Sequence, residues 1–191
     1  YVHHRIIIHG NQSPLNELDL RNLMYTGYKE NNGPFVIRYP RGKGEMADWR
    51  NEMHVLPIGK GKKLRDGDDI AILSLGPIGN EVIKAIKEIE GDGISIAHYD
   101  MIYLKPMDEE LLHEVGKKFS RIITVENGVI RGGLGSAVLE FMADNGYTPK
   151  IKRIGVPDEF VEHGPISELY KLCGMDAKCI AEEIKKMVIG G

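Results

Sequence analysis

Ile70-Ala71-Ile72-Leu73-Ser74-Leu75 is a run of uncharged, mostly apolar residues, and Gly76-Pro77 follows it at once. A short apolar run that ends in a glycine–proline pair indicates a buried β-strand and a turn. Apolar residues then recur at the spacing of a helix with one buried face, at Val82, Ile83, Ile86 and Ile89. This stretch therefore predicts the strand–turn–helix unit of an α/β protein.

The alternation of strands and helices continues to the end of the chain. Further strands are predicted over residues 94–99, 121–125 and 151–156, and helices over 106–119, 132–145, 167–172 and 176–188. Apolar strands that alternate with helices favour a mainly parallel sheet covered on both faces. We therefore predict an open three-layer α/β/α domain from about residue 55 to the end.

A smaller helix–strand unit precedes this domain. Ser13-Pro14 is a typical helix start, and the apolar residues after it predict a helix that ends near Gly27. Residues 35–39 indicate a short buried strand, which Pro40 ends. This unit is too small to fold alone, and the first residue is tyrosine rather than methionine. We therefore expect the chain to be a fragment whose beginning is missing.

Residues 41–69 have a different composition. They are rich in glycine, lysine and aspartate, and they contain one weak strand pattern at residues 54–58. Such a composition indicates a linker that leads into a new domain.

Composition narrows the class of protein. Lys plus Arg number 25 and Asp plus Glu number 28, which gives a net charge of −3 and argues against a general nucleic-acid binder. No apolar run approaches the roughly 20 residues of a membrane span, and no signal peptide is recognisable at the start. Cys173 and Cys179 lack metal-ligand spacing. We expect a soluble, cytoplasmic protein with reduced cysteines.

The arginine-rich stretch Arg38-Tyr39-Pro40-Arg41-Gly42-Lys43-Gly44 is the best isolated site signal. It lies at the carboxyl end of a predicted strand, where α/β folds usually bind their ligands. A guanidinium there can bind a phosphate or carboxylate through two parallel hydrogen bonds. The residues alone leave two interpretations open, an anion site or a solvated charge in a linker.

Three other stretches allow a functional interpretation beside a structural one. Gly132-Gly133-Leu134-Gly135 opens a predicted helix and suits a phosphate, although close packing against a helix or subunit is the favoured interpretation. Glu126 is an acid or base candidate, whereas Glu126-Asn127-Gly128 also suits a simple turn. His163 suits a general base, but no nucleophile motif accompanies it. From the residues alone, no complete active site emerges.

Several motifs in order resemble the transketolase family of thiamine-diphosphate enzymes. Lys105-Pro106-Met107-Asp108 and Gly132-Gly133-Leu134-Gly135-Ser136 are patterns of the whole family. Arg38-Tyr39-Pro40-Arg41-Gly42 and Leu56-Pro57-Ile58-Gly59-Lys60-Gly61 are similar to the deoxyxylulose-phosphate synthase branch. The remaining matching stretches are Ser13–Glu17, Leu23–Thr26, Gly33-Pro34, Val125–Asn127 and Gly155–Phe160.

The resemblance implies a division of the chain and a reaction. Residues 1–45 would end the pyrimidine-binding domain, 46–54 would be a linker, and 55–191 would be the transketolase C-terminal domain. The full-length enzymes of this branch join pyruvate to glyceraldehyde 3-phosphate with release of CO2. The product feeds the non-mevalonate route to isoprenoids and, in many bacteria, thiamine and pyridoxal phosphate synthesis.

The resemblance assigns a role to one residue, Arg41, which matches the family arginine that holds the phosphate of glyceraldehyde 3-phosphate. It assigns nothing comparable to Glu126, Gly132 or His163. The family binds thiamine diphosphate and Mg²⁺ through a Gly-Asp-Gly motif with a downstream asparagine and through an activating glutamate. We expect these parts to be absent here, so no catalytic, cofactor-binding or metal-binding residue is assigned and the chain alone is predicted to be inactive.

Family members are homodimers, so we expect a homodimer that binds neither nucleic acid nor membrane. Residues 1–12 do not match the family pattern. Two alternatives stay open: the same part of another transketolase-type enzyme, such as a transketolase or a 2-oxoacid dehydrogenase β subunit, and a stand-alone interaction domain without catalysis.

Overall fold

The computed structural model describes residues 11–30, 33–40, 44 and 50–190. The apolar run Ile6-Ile7-Ile8, which predicts a short strand, and residues 46–49 of the predicted linker lie outside the described residues. The strands are β1 (Asn11–Gln12), β2 (Val36–Ile37), β3 (Lys62–Arg65), β4 (Ile70–Leu75), β5 (Ile96–Asp100), β6 (Tyr103–Lys105), β7 (Arg121–Val129) and β8 (Lys150–Val156). The helices are α1 (Glu17–Glu30), α2 (Gly79–Glu88), α3 (Glu109–Lys118), α4 (Leu134–Asp144), α5 (Ile166–Leu172) and α6 (Ala177–Ile189).

Five strands form the main sheet, in the order β3-β5-β4-β7-β8. The four strands β5, β4, β7 and β8 are parallel, and β3 pairs antiparallel with β5 at one edge. All six residues of the central strand β4 are buried. The prediction of a mainly parallel sheet is therefore confirmed.

Helices cover both faces of this sheet. Helices α2 and α6 pack on one face, around Ile70, Ile72 and Ile123. Helices α3 and α4 pack on the other, around Ala71, Leu73 and Ile122. Successive strand residues point to opposite faces, so the mostly apolar run in β4 contributes side chains to both layers of the core. The three-layer α/β/α architecture predicted from the sequence is confirmed.

The first segment, residues 11–40, joins this domain through a second sheet. That sheet has the order β2-β1-β6, in which β2 lies parallel and β6 antiparallel to β1. A small hydrophobic cluster of Leu23, Ile102 and Tyr103 lies beneath it. The first segment and the main domain therefore share both a sheet and a core.

The sequence-based elements need several corrections. The first helix, predicted to start at Ser13-Pro14 and to end near Gly27, extends over Glu17–Glu30. The strand predicted to be buried at 35–39 is short, and its Val36 is exposed.

The strand predicted at 54–58 is wrong: the backbone N–H groups of His54 and Leu56 donate instead to side chains of α1. Strand β3 lies inside the stretch expected to be linker, and β6 was not predicted. Strand β7 continues to Val129, so the turn expected at 126–128 is wrong; a register irregularity between Val125 and Val129 replaces it.

Candidate functional site

The carboxyl edge of the main sheet contains a crevice between two neighbouring strands. From β4 the chain passes through α2 to β5 on one side, and then through α3 to β7 on the other side of β4. Doubly wound folds usually bind their ligands where the strand order reverses in this way. In this protein the first segment reaches that place: a Cβ added at Gly76, just after β4, would lie 2.2 Å from Ser13 Oγ.

Arg38 is the residue of the first segment that contacts the opposite side of the crevice. Its guanidinium donates to Asn127 in β7, from Nη2 to Oδ1 at 2.8 Å and from Nη1 to the backbone oxygen at 3.3 Å. Its backbone N–H donates to the Gln12 carbonyl oxygen at 2.9 Å, and its carbonyl oxygen accepts from Ser13 Oγ at 3.1 Å. Hydrogen bonds therefore fix both the backbone and the side chain of Arg38.

The candidate phosphate ligand Arg41 lies outside the described residues, and its role stays a prediction. Pro40, the residue before it, lines a cavity of about 730 Å³ together with Asn127, His163 and Tyr170. This cavity opens beside the carboxyl edge of the sheet. Pro40 therefore lies on the side of the sheet where α/β folds bind ligands.

His163 is exposed in the loop between β8 and α5, on the rim of this cavity. Much of the lining is apolar, and Phe160 is 98% exposed. Burial raises the pKa of Tyr170, while its side-chain hydrogen bond with Asn127 acts in the opposite direction. The structure therefore brings Pro40, Asn127 and His163 together, a grouping that the sequence analysis did not predict.

Glu126 has a structural partner. Its carboxylate is 3% exposed and accepts hydrogen bonds from the backbone N–H groups of Leu134 and Gly135, each at 2.9 Å. A carboxylate at this place satisfies free N–H groups at the start of α4 and interacts favourably with the helix dipole. A Cβ at Gly133 would lie 2.0 Å from Glu126 Oε2. The glycines thus leave room for the carboxylate of Glu126. The sequence analysis had considered two other groups at this place, a phosphate and a closely packed helix or subunit.

A smaller cavity of about 260 Å³ lies between the start of α4 and the first segment. Arg38, Glu126 and Arg131 line it together with Gly132 and Gly133. Arg131 is exposed, and its Nη1 lies 3.9 Å from Asp158. This cavity combines two guanidinium groups with a carboxylate that is already hydrogen-bonded to the α4 backbone.

Buried titratable groups on β5 were missed by the sequence analysis. His98 Nε2 lies 2.8 Å from Ser74 Oγ, and burial lowers the pKa of His98 to about 4. Two residues on, burial raises the pKa of Asp100 to about 7, and the nearby Asp19 carboxylate acts in the same direction. The sequence indicates these groups only through the presence of polar residues within the otherwise apolar strand β5. Both side chains are buried in the core.

The described residues do not fit a thiamine-diphosphate and Mg²⁺ site. The chain does contain the triplet Gly91-Asp92-Gly93, but the next asparagine is Asn127, at the opposite edge of the parallel sheet. Asp92 forms an ion pair with Lys185 at 2.7 Å. Within the described ranges, no group of three or more His, Cys, Asp or Glu residues could hold a metal ion.

Two further expectations concern cysteines and membranes. Cys173 and Cys179 are both free thiols, as expected. Among the helices of the described residues, none is long and apolar enough to cross a membrane.

Fold and sequence together define the class of this protein. Residues 59–180 match the family described as the transketolase C-terminal domain, and the chain belongs to that family. At the level of individual relatives, the chain is 80% identical over 174 residues to the 1-deoxy-D-xylulose-5-phosphate synthase of Parabacteroides distasonis. The aligned region covers 91% of this chain and 28% of that protein.

A second relative carries the same name. The synthase of Bacteroides fragilis is 58% identical over 175 residues, which cover 91% of this chain and 27% of that protein. The chain thus spans little more than a quarter of the length of these curated relatives. The resemblance to deoxyxylulose-phosphate synthases is confirmed.

Solved structures show the same fold. A protein titled "Split gene transketolase, inactive beta4 tetramer" aligns with a TM-score of 0.79 and 29% identity, over 93% of this chain and 56% of that chain. Transketolase from Leishmania mexicana aligns with a TM-score of 0.65 and 13% identity, over 94% of this chain and 25% of that chain, a likeness of fold alone.

Proposed function

We propose that this chain is the C-terminal part of a 1-deoxy-D-xylulose-5-phosphate synthase. The whole enzyme would condense pyruvate with glyceraldehyde 3-phosphate and release CO2, the first step of the non-mevalonate isoprenoid route. The observation that carries the proposal is the 80% identity, across 91% of the chain, to a protein of that name. Residues 1–45 would then end the pyrimidine-binding domain and 55–191 form the C-terminal domain.

In this proposal Arg41 binds the phosphate of glyceraldehyde 3-phosphate. Its guanidinium offers a planar pair of N–H donors that matches two phosphate oxygens, and its charge persists at all working pH values. Binding one end of the acceptor fixes the direction of the aldehyde at the other end. Arg41 would therefore accelerate the reaction by positioning, without a proton transfer of its own.

The thiamine diphosphate and Mg²⁺ of the whole enzyme would be bound by parts of the protein other than the residues described here. Those groups supply the chemistry that splits pyruvate. The present chain would contribute the phosphate arginine and contacts within a cytoplasmic homodimer.

The test uses the full-length protein that carries this chain, supplied with thiamine diphosphate, Mg²⁺, pyruvate and glyceraldehyde 3-phosphate. We expect NMR to show deoxyxylulose 5-phosphate, with one CO2 released per product molecule. Transfer of a two-carbon unit between sugar phosphates, without this condensation, would contradict the proposal and indicate a transketolase. An initiator codon near Tyr1, with no cofactor-binding region upstream in the same reading frame, would indicate a stand-alone interaction domain.

A further inference from the structure

Helix α5 and the loop before it, residues 157–172, form a surface that we call the α5 face. None of the seven residues of α5 is buried, and the helix contacts the core through half-buried side chains such as Tyr170. Phe160 in the loop is 98% exposed, and Ile166 and Leu172 of the helix are exposed as well. Phe160 and Ile166 also line the cavity of about 730 Å³. Exposed apolar side chains beside a cavity are typical of a surface that another protein segment covers.

The α5 face carries charge of a single sign. Residues 154–170 contain four carboxylates and no lysine or arginine. The carboxylates belong to exposed residues, which are Asp158, Glu159, Glu162 and Glu168. A basic surface therefore fits this place better than a neutral or an acidic one, because complementary charges attract and like charges repel. The α5 face thus suits a partner surface that is both apolar and basic.

The α5 face is continuous with a contact already present in the described chain. The first segment, residues 11–40, joins the main domain through the sheet β2-β1-β6. Pro40, which follows strand β2, lines the cavity together with Phe160 and His163. A surface that packs beside the first segment can therefore cover the α5 face on the same side of the molecule.

The length of the relatives indicates what covers this face. The chain aligns with 28% of the synthase of Parabacteroides distasonis and with 27% of that of Bacteroides fragilis. In a protein of that length, more than two thirds of the polypeptide lie outside the region that this chain matches. A second copy of this chain is a poorer partner, because a symmetric contact would place two acidic α5 faces against each other.

We propose that the α5 face binds the part of the full-length enzyme that lies outside this chain, through a basic and partly apolar surface that covers Phe160 and the cavity. This inference rests on the proposed function, since it takes the chain to be the C-terminal part of a longer protein. In this contact Phe160 inserts between apolar side chains of the partner surface. Glu159 and Glu162 form ion pairs with its basic side chains.

The test is carbodiimide labelling of carboxylates in the full-length enzyme, followed by mass spectrometry. Glu159 and Glu162 should be labelled at least about fivefold more slowly than Glu140, an exposed residue of α4 on the opposite face of the sheet, because an interface excludes water and reagent. Carbodiimide also joins a carboxylate directly to a lysine with which it forms an ion pair. Such cross-links should connect Glu159 or Glu162 to lysines outside this chain.

Two matched variants of the full-length enzyme test the apolar part of the contact. Phe160→Ser should raise the labelling rate of Glu162 at least about threefold, because the buried anchor of the interface is lost. Ile189→Ser removes an exposed apolar side chain at the end of α6 and should leave that rate unchanged. Both side chains are exposed in this chain, so neither substitution disturbs its core.

The outcomes distinguish this contact from the proposed function. If Glu159, Glu162 and Glu140 are labelled equally fast in an enzyme that makes deoxyxylulose 5-phosphate, the function stands and the contact is wrong. Cross-links that connect the α5 face only to lysines of this chain in a second, isotopically labelled copy would also overturn the contact. A full-length protein that makes no deoxyxylulose 5-phosphate overturns the proposed function, and slow labelling of Glu159 and Glu162 in that protein would still support the contact.

Discussion

At the scale of single residues, His98 and Asp100 on β5 have opposite effects on stability as pH changes. Burial lowers the pKa of His98 to about 4. Between about pH 4 and 6.5 this imidazole is therefore protonated in the unfolded chain and neutral in the folded chain. Its contribution is therefore complete above about pH 6.5 and is lost as pH falls towards 4. Burial raises the pKa of Asp100 to about 7, so its contribution is complete near pH 4 and is lost as pH rises to 7.

The two contributions oppose each other between pH 4 and 6.5, each amounting to about 3–4 kcal/mol at most. Relative to the wild type, Asp100→Asn should make the free energy of unfolding rise more steeply with pH, and His98→Gln should make it rise less steeply or fall. Asp19, whose pKa burial also raises, acts in the same direction as Asp100, and Lys62 opposes both. Urea titrations at several pH values measure these slopes; equal slopes in all three proteins would contradict the assignment.

Glu126 should matter for stability rather than for proton transfer. Its carboxylate accepts two backbone N–H groups at the start of α4, so Glu126→Gln should lower the free energy of unfolding by about 1–2 kcal/mol. Glu140→Gln changes an exposed carboxylate on the same helix and should cost less than about 0.5 kcal/mol. Urea unfolding compares the two variants, and equal losses would show that the α4 cap contributes nothing.

Arg41 carries the proposed substrate contact. In the full-length enzyme, Arg41→Ala should raise the KM for glyceraldehyde 3-phosphate by at least about tenfold, since a charge-assisted pair of hydrogen bonds is lost. Arg41→Lys should give a smaller increase, because an ammonium keeps the charge but not the planar pair of donors. A rise in the KM for pyruvate as large as that for the acceptor would reject this role.

At the scale of elements, the strands that sequence reasoning missed are those that lie at edges. Strand β3, Lys62-Lys63-Leu64-Arg65, is mostly charged because it lies at an edge of the main sheet, where charged side chains prevent further pairing. Its composition is therefore similar to that of a linker, and the sequence analysis assigned it to one. Strand β6 has only three residues, too few for a periodic pattern.

The helices and inner strands could be predicted because each repeats a clear apolar period. Of the stripe predicted at Val82, Ile83, Ile86 and Ile89, all but the half-buried Ile83 are buried. Strand β4 has the mostly apolar composition of a strand covered on both faces. The extended segment at 54–58 was misread because its hydrogen-bond partners are side chains on α1, which lie far away in sequence.

That segment provides a prediction about α1. Thr26 is fully buried; its Oγ1 accepts from the Leu56 N–H at 2.8 Å and donates to the Asn22 carbonyl oxygen at 2.8 Å. Thr26→Val keeps the shape but leaves the Leu56 N–H without that acceptor, which should cost about 1–3 kcal/mol. Thr148→Val, at an exposed position, should cost about 0.5 kcal/mol or less in the same chemical unfolding experiment. Similar costs for both would mean that the contact does not secure the segment.

At the scale of the whole molecule, the candidate site could be predicted only in outline. The sequence analysis predicted that an arginine-rich stretch lies at the carboxyl ends of the strands. Arg38 does lie there, in contact with Asn127 of β7. Its partner Asn127 is 89 residues further along the chain, and no local pattern specifies so distant a contact. The cavity that joins Pro40, Asn127 and His163 likewise depends on how loops from separate units meet.

The whole chain should not bind the cofactor of the proposed enzyme. Titration calorimetry with thiamine diphosphate and Mg²⁺ should show no binding heat for the 191-residue chain, because its described residues offer no suitable ligand cluster. The full-length enzyme, measured under the same conditions, should bind both. Saturable binding by the chain alone would mean that it carries a cofactor site of its own.

The contact between Glu126 and the start of α4 has an evolutionary consequence. A Cβ at position 133 would collide with the carboxylate of Glu126, so the two positions, seven residues apart, form a single unit of selection. A lineage that acquires a larger residue at position 133 must shorten or move the residue at 126, and a shorter residue at 126 permits a side chain at 133. Among relatives, these two positions should therefore vary together, whereas the exposed position 140 on the same helix should drift freely.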